Sequence, residues 1–404
     1  MMKKQMIKKF AILVVYMLIG AISGGAIAYG FSSIKFPAEW VALPFYINII
    51  IALFIYFFAV AFHEFGHAYS FTKNGVKMRA VIVMFLHFMK GKDGWKVSFR
   101  PNKLTAIGGV AIPDIRAIKD KLHLEQTQQA YAKAILAGPI SSIILWAGVT
   151  LLATIILSTS SNEVLQSIAF TMMVSLTIIT FFLLGTSFLK NDVAVGDFPA
   201  YKLAKNDRFF VAMQLYQSAL FSSEHERVRA ENNYLRGVLV EELEKKLQEK
   251  NYHIYTLALV DHFIIEYLTG RYEEMPKVVA DYVDSLLLEE ERFAQLKSSD
   301  LGLTIYFHIL RYMYTKEETK QKALTLYKEL KEQLKPNTPM RKYLLKQADH
   351  AFGFADHSEF LQNKDNICIS PAHDIWKNFE GYFVDELKLN QLEVKENIAE
   401  KNNL

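Results

Sequence analysis

The side chains with the clearest chemical potential are His63, Glu64 and His67, in the pentapeptide His-Glu-Phe-Gly-His. On a helix, residues four apart lie about 40° apart in azimuth and about 6 Å apart along the axis, so both imidazoles project from one face. Two neutral imidazoles on one helical face suit Zn²⁺, and the glutamate between them is placed to act as a general base. The spacing therefore predicts a catalytic zinc site with His63 and His67 as ligands.

The position of this pentapeptide strengthens the prediction. The preceding stretch, residues 46–62, contains no charged side chain. Imidazoles and a carboxylate at the end of such a stretch are costly to place in a membrane and are usually functional. The alternative is a helix end with two surface histidines and an incidental glutamate, and the uncharged stretch favours the metal site over it.

Composition limits the class of protein. At 404 residues the chain is long enough for two or three domains, and 51% of its residues are hydrophobic. A formal net charge of +4 gives no support for a nucleic-acid partner. The one cysteine, Cys368, excludes an internal disulfide framework and a multi-cysteine metal site. Any metal ligands are therefore expected among histidine, aspartate and glutamate.

Four apolar stretches are long enough to cross a bilayer core of about 30 Å at 1.5 Å per residue. They are residues 10–31, 41–69, 131–157 and 165–189. The first could be a signal peptide cleaved after Ala26-Ile27-Ala28, but its length favours an uncleaved helix. We therefore expect a mainly α, polytopic membrane protein in which residues 1–204 form a transmembrane domain.

Basic residues predict the orientation of these spans. The loop 73–130 holds eleven lysine and arginine residues, whereas the other two loops hold only Lys35. Positive charge marks the cytoplasmic side, so both termini are predicted to be cytoplasmic and the two histidines to lie near that face. Residues 190–200 return to the same face. The pattern fits a multi-pass protein of a bacterial plasma membrane.

Residues 79–113 have a strand pattern instead of a helical one. Apolar side chains alternate over 81–86 and again over 95–99, and Lys92-Asp93-Gly94 between them has the composition of a turn. A further extended piece with Gly108-Gly109 ends at Pro113. The sequence predicts a β-hairpin or small sheet inserted between the second and third spans. It leaves open whether this insert lies at membrane depth or is an ordinary cytoplasmic hairpin.

A catalytic zinc needs a third protein ligand and one position open to water. Asp192 and Asp197 both follow the fourth span on the predicted cytoplasmic side, and Glu125 before the third span is a weaker candidate. Two histidines with one carboxylate form an established catalytic zinc set. The residues alone leave Asp192 and Asp197 as rivals.

Taken together, these features resemble the site-2 protease family (peptidase M50-like) of intramembrane zinc metalloproteases. The similarity covers residues 41–205. It rests on four features in order: His-Glu-Phe-Gly-His in a predicted membrane helix, Gly108-Gly109 in an extended stretch, Ala137-Gly138-Pro139 in the next helix, and an aspartate after the helix that follows.

The resemblance implies roles for particular residues. His63, His67 and a downstream aspartate would bind zinc, and Glu64 would activate the water. The family's aspartate typically leads into a helix, which favours Asp197, although the glycine that usually follows it is replaced by phenylalanine here. The family also holds its substrate in extended form on membrane-embedded strands, so the resemblance implies substrate-binding residues in the two glycine-containing motifs: Gly108, Gly109, Gly138 and Pro139. Ser142 stands where the family commonly has asparagine.

Residues 205–404 are polar, charged and rich in helical pattern, and we expect a cytoplasmic α-helical domain. Two stretches, 264–287 and 310–334, each have the pattern helix, short turn, helix. They resemble tetratricopeptide-type pairing, and an irregular helical domain is an equal alternative. Such a domain near the active face is a candidate site for a protein partner that recruits or gates substrates.

The sequence predicts a membrane zinc metalloprotease that hydrolyses transmembrane or signal-peptide-derived segments near the cytoplasmic face. One rival is a membrane-anchored metalloprotease that acts on soluble substrates, with a glutamate as third ligand. Another is an inactive membrane scaffold that binds partners through its helical domain. The presence of all three residues of the pentapeptide motif argues against the scaffold.

Overall fold

A computed structural model describes residues 37–91, 93–101, 108–190, 195–250, 252–369 and 373–391. The first predicted span, residues 10–31, and the rival ligand Asp192 lie outside these ranges. The described part of the chain is mostly helical, with one small antiparallel sheet.

Within the described ranges, three helices are long and apolar enough to cross a membrane: α1 (Phe45–Lys73), α2 (Lys121–Thr159) and α3 (Glu163–Ser187). They correspond to the predicted spans 41–69, 131–157 and 165–189. Only 11–22% of the residues in their apolar windows are buried, so most of that apolar surface is free to meet lipid. With 39 residues, α2 is about 58 Å long and extends well beyond a bilayer core.

The helix that carries the pentapeptide ends in a glycine-dependent cap. Gly75 has a φ of +81°, its N–H donates to the carbonyl of Thr72, and the N–H of Val76 donates to the carbonyl of Phe71. A residue in this left-handed conformation closes a helix because it turns the chain back over the last carbonyls. The chain then passes directly into the first strand.

The insert between α1 and α2 is a four-stranded antiparallel sheet in the order β3-β2-β1-β4. Its strands are β1 (Lys77–Val83), β2 (Leu86–Gly91), β3 (Gly94–Phe99) and β4 (Gly109–Asp114). The predicted hairpin is present, since β2 pairs with β3 and Gly91 pairs with Gly94. Among the described residues β4 pairs only with β1, so it forms one edge of the sheet.

One part of the strand prediction is wrong. The run 81–86 is not a single strand, because the chain turns at Met84 and Phe85 and forms a second hairpin in which Val83 pairs with Leu86. Met84 takes a φ of 52°, which is unusual for a residue other than glycine. The turn escapes sequence analysis because it contains no glycine, proline, asparagine or aspartate.

Beyond α3 the described chain is helical. The helices are α4 (Asp197–Asn206), α5 (Arg208–Ala219), α6 (His225–Glu231), α7 (Asn233–Gln248), α8 (Ile254–Leu268), α9 (Lys277–Leu288), α10 (Glu290–Gln295), α11 (Asp300–Tyr314), α12 (Glu317–Gln333), α13 (Pro339–Ala351), α14 (Ser358–Gln362), α15 (His373–Trp376) and α16 (Val384–Leu389). The two predicted helix–turn–helix stretches are present as α8–α9 and α11–α12. The likeness to tetratricopeptide repeats stays a prediction.

By their internal contacts the residues fall into two compact units. One contains residues 37–56 and Trp146–Ile178, and the other contains Phe57–Leu145 and Ile179–Leu404. Within the second unit a large apolar core joins helices α4, α5 and α7–α14 with the linker before α2 and the first turn of that helix, through Ile115, Ile118 and Leu124. The histidines, the sheet and Asp197 all lie in this second unit. The proposed boundary at residues 204/205 stays a prediction.

Candidate metal centre

Helix α1 presents His63 and His67 on one face, as their spacing predicts. Both side chains are buried, with 8% and 9% of their surface exposed. Their Nε2 atoms converge on the carboxylate of Asp197, His63 at 3.3 Å from Oδ2 and His67 at 3.7 Å from Oδ1. One ligand atom from each of the three residues lies within 4.8 Å of the others.

Asp197 reaches this position because the chain folds back at the end of α3. Gly196 donates its N–H to the carbonyl of Leu189 at 2.8 Å, and Lys190 forms an isolated bridge with Val195. A Cβ on Gly196 would lie 2.6 Å from the carbonyl oxygens of Thr186 and Ser187, so only glycine permits this close return. The hydroxyl of Ser187 then donates to Oδ2 of Asp197 at 2.8 Å.

The ring nitrogens turned away from Asp197 are held by α2. Nδ1 of His67 lies 2.8 Å from the carbonyl oxygen of Ala134, and Nδ1 of His63 lies 2.9 Å from the hydroxyl of Ser142. A carbonyl oxygen only accepts, so Nδ1 of His67 carries the hydrogen, and in the neutral ring Nε2 keeps its lone pair. Metal-binding histidines typically have such an outer partner, which fixes both tautomer and ring orientation.

Gly138 makes room for the two imidazoles. A Cβ at this position would lie 2.8 Å from Nε2 of His63 and closer still to Nε2 of His67. Helices α1 and α2 also approach closely one turn beyond Gly138, since a Cβ on Gly66 of α1 would lie 2.6 Å from Cβ of Ser141 of α2. Glycine at position 138 therefore leaves open the space on which the ring nitrogens converge.

The arrangement fits a metal ion. Two imidazole nitrogens and one carboxylate, with a cleared space between them, match the three-ligand sets of catalytic zinc sites. Glu125, the other carboxylate considered, is not part of the cluster. It lies on the exposed first turn of α2, 3.9 Å from Nζ of Lys121.

Glu64 lies between α1 and the edge strand β4. Only 7% of its surface is exposed, and a Cβ on Gly109 would lie 2.9 Å from its Cδ. Glycine at 109 therefore lets the strand pass directly over the carboxylate. Met84 donates its N–H to the carbonyl of Gly108, so these two residues form a hydrogen-bonded pair where β1 ends and β4 begins. Hydrogen-bonded and non-hydrogen-bonded pairs alternate along an antiparallel ladder. The backbone N–H and C=O groups of Gly109 and Ala111 therefore point away from β1.

A cavity of about 550 Å³ contains His63, Glu64, His67 and Asp197 in its wall. Gly108 and Gly109 also line it, whereas Gly138 lies against the histidine rings and Pro139 follows it within α2. The remaining wall is largely apolar and includes side chains from the helices after α4, namely Phe210, Gln214 and Tyr255. The helical part of the chain therefore contributes directly to the site.

Some residues of the site have no signal in the sequence. The carbonyl of Ala134 is a backbone group that every residue carries, and Ser187 is one serine among many. Ser142 could be suspected only because it stands at the family's asparagine position. Gly196 precedes Asp197 directly, and a glycine just before a helix that starts with a ligand is the one local clue available.

The comparison with family models decides the family. The model of peptidase family M50 matches residues 49–346, which include most of α1, all of α2, α3 and the sheet, and most of the helices that follow. This chain belongs to peptidase family M50. The resemblance drawn from its motifs is thereby confirmed. No curated protein and no solved structure matches the chain.

As a member of peptidase family M50 the protein is a membrane metallopeptidase. The three candidate membrane helices agree with this, and the cluster of His63, His67 and Asp197 supplies a metal-binding set of the required kind. The matched range also takes in α4–α12, so the helices after the membrane helices belong to the family match.

Proposed function

We propose that this M50 peptidase is an intramembrane zinc enzyme that hydrolyses peptide bonds of transmembrane or signal-peptide-derived segments near the cytoplasmic face. The observation that carries the proposal is the cluster of buried His63 and His67 with half-buried Asp197, on and beside a membrane helix. Ionisable side chains at such a place are costly and are retained for function.

The chemistry follows from the residues around the cavity. A zinc ion held by the three ligands supplies Lewis-acid activation of water and of the scissile carbonyl. The carboxylate of Glu64 accepts a proton from the attacking water and passes it to the departing amine nitrogen. The carbonyl carbon gains a bond to oxygen and loses its bond to nitrogen, so water is consumed and two peptide ends are formed.

A substrate must be extended to be cut, because a helical peptide bond is shielded by its own hydrogen bonds and neighbouring turns. Strand β4 offers a place for an extended segment, since the backbone groups of Gly109 and Ala111 face away from β1 and both residues line the cavity. We propose that the substrate adds to this edge as a further strand, which leaves its carbonyl groups beside Glu64.

The orientation is proposed from charge. The basic residues around the sheet are exposed, among them Lys77, Lys90, Arg100, Arg116 and Lys119. Positive charge beside membrane helices is typical of the cytoplasmic side. We therefore propose that the site lies near that face, that both termini are cytoplasmic and that the membrane is a plasma membrane. A protein partner at the C-terminal helices is part of the same proposal, because those helices form part of the cavity wall.

Cleavage of an apolar segment tests the proposed substrate class. The purified protein in liposomes should cut a lysine-flanked apolar peptide of about 20 residues, the length of a membrane span, and mass spectrometry locates the cut. We expect cleavage within the apolar stretch near one end, its loss with 1,10-phenanthroline and its return with added zinc.

A polar peptide of the same length is the matched probe for the rival activity. The proposal predicts that it is cut far more slowly than the apolar peptide. Equal or faster cleavage of the polar peptide would favour a membrane-anchored peptidase for soluble substrates. Absence of cleavage of either peptide by zinc-loaded protein would contradict the proposed activity and favour the scaffold.

A further inference from the structure

The two faces of the sheet have different neighbours. On one face Phe88 stacks edge-on against Phe65 of α1 with centroids 5.6 Å apart, and Gly109 passes over Glu64. Successive residues of a strand point to opposite faces. The other face therefore carries Ala80 and Ile82 of β1 and Ile112 of β4.

This second face is covered by a segment near the end of the described chain. Ile375 and Phe379 form one buried cluster with the three strand residues, in which Phe379 is 1% and Ile112 is 3% exposed. Edge strand β4 is thus enclosed between Glu64 on one side and Phe379 on the other.

Phe379 is held firmly against the sheet. Its ring centroid lies 5.0 Å from that of Phe221 and 5.7 Å from the guanidinium carbon of Arg79 on β1. Nε of Arg79 donates to the carbonyl of Phe221 at 2.9 Å. Strand β1, the loop after α5 and the ring of Phe379 therefore contact one another. The buried residues of this cluster are distinct from those of the large helical core, and partly buried Tyr382 packs against both.

The continuation of this segment is anchored in the helical core. Asp385 accepts from Nη2 of Arg229 at 2.6 Å and from Nη2 of Arg271 at 3.2 Å. Burial would raise the pKa of Asp385, but Arg229 in particular lowers it to about 2, so the carboxylate is ionised at neutral pH. Glu386 accepts from the hydroxyl of Tyr343 at 2.8 Å and from Nε2 of Gln347 at 2.9 Å.

We propose that Phe379 is a positioning residue for β4, and that residues 375–391 act as a strap by which the helical core holds this strand over Glu64. The effect on substrate rests on the proposed function of β4 as the docking edge. The effect on the strand itself does not, and it is measurable without a substrate. Phe379 touches neither the ligands nor the reacting atoms, and acts through Ile112 and the strand.

Hydrogen exchange of the full-length protein in detergent tests the strap. Phe379→Ala should speed exchange of the β4 amides, residues 109–114, by about tenfold or more, because the cavity it leaves loosens the strand. Phe307→Ala is the matched control, since Phe307 is also 1% exposed but packs in the helical core on α11, outside the strap. It should leave β4 exchange near the wild-type rate, and Phe379→Leu should restore most of the protection.

Equal acceleration in Phe379→Ala and Phe307→Ala would overturn the proposal, because Phe379 would then contribute only to overall stability. Unchanged exchange of β4 in Phe379→Ala would overturn it as well. Either result leaves the proposed peptidase function intact, since that is judged by wild-type cleavage.

Kinetics with the apolar peptide give the second readout. Phe379→Ala should raise KM about tenfold with kcat changed less than about twofold and with zinc content at the wild-type level, because binding is affected and not chemistry. Phe379→Leu should recover KM. Faster β4 exchange with an unchanged KM would overturn the positioning role.

Discussion

Replacing Glu64 with glutamine is expected to abolish peptide cleavage while zinc stays bound. Glutamine has nearly the same shape as glutamate but cannot accept the water's proton, and loss of a general base costs about 10²–10⁴-fold in rate. The side chain is buried between α1 and β4 and lines the cavity, and among the described residues that line it the only other carboxylate is that of the ligand Asp197. Initial rates with the apolar peptide and zinc per chain are the two measurements.

Glu125→Gln is the control for that substitution. It makes the same chemical change at an exposed position on α2, where the carboxylate only neighbours Lys121. We expect wild-type cleavage and wild-type zinc in this variant. Cleavage near the wild-type rate in Glu64→Gln would remove Glu64 from the role of base, and loss of zinc there would assign it a role in holding the ion.

Gly138→Ala should remove zinc although alanine is the better helix former. The added methyl carbon would lie 2.8 Å from Nε2 of His63 and closer to Nε2 of His67, in the space on which the ligands converge. The rings must move or the ion must leave, so we expect zinc affinity to fall by at least the ~10–100-fold typical of disturbed ligand surroundings. Competition with a chromogenic chelator measures it.

Gly148→Ala is the matched control on the same helix. A Cβ there meets no atom within 4 Å, so the substitution should leave zinc affinity unchanged. Wild-type zinc affinity in Gly138→Ala would mean that the ion does not occupy the space between the imidazoles.

The local part of the site could be predicted from the sequence. The spacing of His63 and His67 implies a shared helix face, and α1 has it. The ranking of Asp197 over Asp192 needed the family resemblance, because the tight return through Gly196 depends on contacts with carbonyls at the end of α3. Apart from Gly196, the residue types around the two aspartates do not indicate that the chain folds back at this point.

Other features depend on contacts between distant parts of the chain. The turn at Met84 lies in an unbroken apolar run, so alternation alone extends the strand through it. Phe379 packs on strand residues nearly three hundred positions earlier in the chain, and nothing local distinguishes it from any other core phenylalanine. The sequence likewise gives no indication that Phe210 and Tyr255 contribute to the cavity wall.

Zinc content of detergent-purified protein is the most direct test of the metal centre. Metal-replete wild type, Asp192→Ala and Asp197→Ala are compared by elemental analysis of zinc per chain. We expect about one zinc per chain in wild type and in Asp192→Ala and loss of zinc in Asp197→Ala, because His63, His67 and Asp197 converge on one point. Zinc retained in Asp197→Ala, or none in wild type, would contradict this expectation.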